Sequence, residues 1–62
     1  MSNEALWEQW RTWAAGRLDM EAEELEAGGG PSVFDEDQKS IAAQTWRNAA
    51  NRLRSMPMPP HP

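Results

Sequence analysis

Few side chains in this chain can move a proton, attack a carbonyl or hold a metal, and their spacing limits what they can do. Glu21 and Glu24 stand three residues apart, so a helix places both carboxylates on one face. Such a pair serves as acid and base only where a cleft raises one of the two pKa values. Arg17, one turn before Glu21, predicts a simple ion pair instead. Thr12, Thr45 and the serines have no candidate base at a spacing that would activate them. The single histidine, His61, lies in a proline-rich tail, and the chain has no cysteine, which closes both thiolate metal sites and disulfides. Gly28-Gly29-Gly30-Pro31 lacks the lysine and hydroxyl residue of a phosphate loop. The expectation is a protein with no catalytic, metal or cofactor site, which is to say not an enzyme.

What remains is the chemistry of binding. Trp7, Trp10 and Trp13 fall within seven residues, and Trp46 adds a fourth indole. Tryptophan offers large contact area for little lost rotamer freedom and is enriched where protein interfaces concentrate their energy. An acidic run from Asp19 to Glu26 contains Glu21 and Glu24, with a second cluster at Asp35-Glu36-Asp37. Arg47, Arg52 and Arg54 give the second half the opposite sign. The first 27 residues carry seven acids against two arginines, whereas no acid follows Ile41. Antiparallel pairing of the two halves would set these charges against each other and fix orientation.

Two elements must carry these groups. Sixty-two residues make at most one domain, and a chain of this size buries only about 60% of the surface it exposes when unfolded. With disulfides and metal closed, a second copy of the chain is the remaining route to further burial. The glycine run and Pro31 break any helix passing through them, leaving one helix over about 3–27 and another over about 35–56, joined by a turn at 28–34.

The first helix can be capped by Ser2 or Asn3, with Glu4 at its positive end. Leu6, Trp7, Trp10, Trp13, Ala14 and Leu18 occupy a sector of about 140° at about 100° per residue, the mark of an amphipathic helix. Beyond Gly16 the stripe thins, with only Leu25 restoring it. Acidic residues oppose the dipole at a helix C-terminus, which predicts fraying after about Glu24.

The second helix starts near Ser32 or Asp35: Asp35-x-x-Gln38 has the spacing of a capping box, with Ser32-x-x-Asp35 as the weaker competitor. Its seam is predicted at Ala42, Trp46, Ala49, Leu53 and Met56, the four-three alternation of interlocking helices, with Ile41 and Phe34 at the edge. Pro57 ends it, and residues 57–62 read as a flexible proline-rich tail, with a docking segment as the alternative.

The expected fold is all-α, a two-helix antiparallel hairpin that dimerises into a four-helix bundle. Three indoles over one wide sector need more cover than one partner helix gives. The expected function is a small acidic protein–protein interaction module: an adaptor, regulator or inhibitor. Its expected partners are itself as a homodimer and another protein. The contact residues are expected among Trp7, Trp10, Trp13, Glu21, Glu24, Trp46, Arg47 and Arg54. Alternatives are a nucleic-acid-associated regulator using the arginine face of the second helix, and a structural subunit of a larger assembly. The net charge of −4 argues against general affinity for nucleic acid or anionic membrane. Met1-Ser2-Asn3-Glu4 has neither the basic region nor the apolar run of a leader, so the expected location is cytoplasmic, with no membrane contact.

Overall fold

A computed structural model of the chain describes residues 2–60. It is all-helical: α1 runs Asn3–Glu26, α2 runs Glu36–Ser55, and the two pack against each other as an antiparallel hairpin. The molecule measures 43 × 17 × 17 Å. No helix among the described residues is long and apolar enough to cross a membrane.

Local chemistry sets the helix ends. Ser2 caps α1, its hydroxyl accepting from the Ala5 amide at 3.1 Å. At α2 the predicted box is formed: Asp35 Oδ1 accepts from the Gln38 amide at 2.8 Å, and Gln38 Oε1 accepts from the Asp35 amide at 2.9 Å. Two first-turn donors are thereby satisfied reciprocally.

The C-terminus of α1 does not fray at Glu24. The helix continues to Glu26 and closes in a Schellman motif, in which the Gly29 amide donates to the Glu24 carbonyl (2.8 Å) and the Gly28 amide to that of Leu25 (3.1 Å). Gly28 has φ +91°, a left-handed conformation that costs glycine little and other residues more. Gly29 has no room for a side chain, since a Cβ there would lie 2.9 Å from the Glu24 carbonyl oxygen. The unfavourable charge at this end is offset from α2. Arg47 pairs with Glu26, and Lys39 Nζ donates to the Gly28 carbonyl at 3.0 Å.

The contact between the helices is built from small residues. Ala15, Ala22 and Leu25 of α1 and Ala43 and Ala50 of α2 are buried, and no larger side chain among the described residues is fully enclosed. Each helix thus brings a pair of alanines seven residues apart, the repeat of a coiled-coil seam. This corrects the seam predicted for α2. The buried line runs through Ala43 and Ala50, with Ala42, Ala49 and Leu53 half-buried beside it, while Trp46 and Met56 stay exposed. Facing alanines hold no bulk between the backbones, so a tryptophan on the contact line would force the helices apart.

Candidate functional site

The alanine seam lies beyond one edge of the predicted apolar sector of α1, next to Leu18. Trp7, Ala14 and Leu18 are half-buried on the side facing α2. Leu6, Trp10 and Trp13 are 50%, 49% and 64% exposed, and Met20 extends the exposed line. Leu6, Trp13 and Met20 recur every seven residues with Trp10 between the first two, so α1 carries a second seam of the same repeat. At about 100° per residue the Leu6–Trp13–Met20 line lies roughly 170° around the helix from the Ala15–Ala22 line, with Trp10 at roughly 130°. Among the described residues Trp13 and Met20 are left exposed by the hairpin, while Leu6 and Trp10 share a groove with the C-terminal segment.

Trp7 is anchored at the junction of the two helices. Its indole N–H donates to the Met56 carbonyl at 3.2 Å, and Arg11 Nη1 donates to the same oxygen at 2.7 Å. The Trp7 and Trp10 rings lie 5.1 Å apart, centre to centre, tilted by 30°. With Leu6 they form a shallow groove of about 380 Å³ that also touches Met58, Pro59 and Pro60. Met58 is half-buried there. His61 and Pro62 lie outside the described residues.

At the opposite end, Glu21, Glu24 and Trp46 line a mostly apolar cavity of about 250 Å³ together with Leu25, Pro31 and Phe34. Glu21 and Glu24 are exposed, and Trp46 is 40% exposed. The predicted Arg17–Glu21 pair is not formed. Among the described residues the ion pairs run between the helices, Arg47 with Glu26 and Arg54 with Asp19, and neither Arg17 nor Glu21 takes part in one.

Those pairs engage two of the predicted contact residues. Arg47 binds Glu26, its Nε donating at 2.8 Å, and Arg54 binds Asp19. Residues 47 and 54 are seven apart, as are 19 and 26, so both bridges report one register. Hydrogen bonding to Glu26, followed by the attraction of that carboxylate and of Asp19 and Glu23, holds the Arg47 guanidinium above its ordinary pKa against a desolvation that lowers it. Two of the three arginines of α2 are thus engaged within the hairpin.

The eight predicted contact residues therefore fall into four places. Trp7 and Trp10 meet at the tail groove; Trp10 and Trp13 share the exposed seam. Glu21, Glu24 and Trp46 surround the turn-end cavity, and Arg47 and Arg54 tie the hairpin. Residue patterning missed Arg11, Phe34 and Met58, whose roles depend on long-range register. It also missed the Ala15–Ala22 and Ala43–Ala50 pairs, whose seven-residue spacing was the available signal. Compared with family models, with curated proteins and with solved structures, the chain matches none, and what its surface does must be argued from the arrangement of these residues.

Proposed function

We propose that the chain is a small acidic protein–protein interaction module, an adaptor, regulator or inhibitor that acts without catalysis. Its first contact is with a second copy of itself, forming a four-helix bundle across the Leu6–Trp10–Trp13–Met20 seam. The cytoplasm suits its cysteine-free composition.

The observation that carries this reading is the second seam itself. A heptad stripe with two half-exposed or more exposed tryptophans is complementary to another helix bearing the same stripe. Shape and area support it. A compact monomer of 7.0 kDa has about 4,000 Å² of accessible surface, whereas this hairpin has 4872 Å². The excess, roughly 800 Å², matches what one partner contributes to an interface of ordinary size. The radius of gyration, 14.4 Å, likewise exceeds the roughly 10.5 Å expected of a compact chain of this length. Two hairpins side by side would reduce both discrepancies.

A chain retaining Trp13 as its only tryptophan, with Trp7, Trp10 and Trp46 changed to Phe, tests the seam. Its emission should move to shorter wavelength as concentration rises and the indole leaves water. Emission at the solvent-exposed wavelength at every concentration, in a folded sample, would count against the seam as an interface.

A further inference from the structure

We propose that the turn-end cavity lined by Glu21, Glu24, Phe34 and Trp46 receives an arginine side chain from a partner protein. The glycine turn shapes this cavity. A Cβ on Gly30 would stand 2.6 Å from Leu25 Cδ2, and one on Gly29 would stand 2.7 Å from Glu24 Cγ, so both α1 side chains lie directly on the turn. Leu25 is buried there, while Phe34 and Trp46 stay exposed. The result is a mostly apolar recess of about 250 Å³ whose lining includes two carboxylates and two aromatic rings.

The charge of this recess is not balanced within the hairpin. In the acidic run of α1, Asp19 and Glu26 are tied to Arg54 and Arg47, whereas neither Glu21 nor Glu24 forms a salt bridge among the described residues. Among the described residues no lysine or arginine lines the cavity. The complement is a cation from outside, and arginine fits this set better than lysine. Its guanidinium is planar and weakly hydrated, stacks on aromatic faces and offers several donors to carboxylates, whereas the compact ammonium of lysine is held strongly by water. Its methylene stem is apolar and suits Leu25 and Pro31. Arginine is also enriched among the residues that carry most of the binding energy at protein interfaces.

A partner's arginine presupposes that the chain is an interaction module, but not that it is a dimer. No residue of the Leu6–Trp10–Trp13–Met20 seam lines the cavity, and the seam is read through Trp13 rather than Trp46. One side chain supplies only part of an interface, so an isolated arginine should bind with a Kd on the order of millimolar.

The probe is the tripeptide glycyl-arginyl-glycine with both ends blocked, compared with the same tripeptide carrying citrulline, which keeps the shape and loses the charge. Binding is followed through the tryptophan indole N–H resonances of the full chain. The arginine peptide should shift the Trp46 resonance saturably and leave that of Trp13 in place, and the citrulline peptide should shift neither. Glu21→Gln with Glu24→Gln, at two exposed positions, should weaken binding about tenfold or more with helicity retained. Glu8→Gln with Glu23→Gln removes the same charge outside the cavity and should change the Kd by less than about twofold. No saturable Trp46 shift, an equal response to the citrulline peptide, or an equal loss of binding in the two double variants would overturn the proposal. None of these results bears on the Trp13 emission, so failure of the arginine site is distinguishable from failure of the seam.

Discussion

Ala22 of α1 and Ala43 of α2 pack in one buried cluster with Leu25, at 0% and 3% exposure. Neither contributes much apolar area. Their effect is to let the helix backbones approach, which moves the tryptophans to the flanks of the contact. The exposed tryptophan seam is the consequence: the hairpin closes through its smallest residues and leaves its largest outside.

Enlarging that contact should therefore be costly. Ala22→Leu forces extra methylenes between backbones that cannot separate without breaking the cluster, a change that costs about 2 kcal/mol. For a domain of this size the melting temperature should drop by roughly 10 °C, measured by circular dichroism. An unchanged Tm would mean that the helices are not closely packed at Ala22.

The end of α1 depends on backbone conformation. Gly28→Ala places a side chain at φ +91° and should destabilise the hairpin by about 1 kcal/mol, read by urea denaturation. Gly16→Ala is the contrasting case, because Gly16 lies within α1 and a Cβ there meets nothing within 4 Å. That substitution should stabilise the protein by about 1 kcal/mol in the same assay.

The inter-helix bridges should be modest in energy. Arg54–Asp19 and Arg47–Glu26 are partly exposed, and a double-mutant cycle on Arg54→Ala and Asp19→Ala should give a coupling of about 0.5 kcal/mol. The coupling should shrink in about 1 M salt, where charges are screened over roughly 3 Å. The raised pKa of Arg47 makes its stabilisation fully present below the ordinary guanidinium pKa and lost only as pH climbs above it. Its contribution should be unchanged between about pH 6 and about pH 9, well under that range.

Residue patterning made the two helices, the break between them and the capping box of α2 legible, because each depends on groups a few residues apart. Asp35 and Gln38 meet within one turn whatever the rest of the chain does. The choice of seam was harder to see. Ranking side chains by hydrophobic bulk draws the contact toward Trp46, whereas close packing of two backbones draws it one residue on, through Ala43 and Ala50. The fraying predicted at Glu24 failed for a related reason. A helix end considered alone lacks the Gly28 and Gly29 amides and the arginine that reaches Glu26 from the other helix. Glu21, Glu24 and Trp46 were each identified as contact residues, but their meeting at one cavity follows only from the antiparallel register.

Sedimentation equilibrium at tens of micromolar protein tests most directly whether the tryptophan seam of α1 is an interface. The chain should sediment at close to twice 7.0 kDa, and Trp13→Ala, at a side chain 64% exposed in the hairpin, should lower the mass toward one chain without loss of helix. A fully helical species of 7.0 kDa across that range, indifferent to Trp13→Ala, would contradict the dimer and leave the seam without its proposed partner.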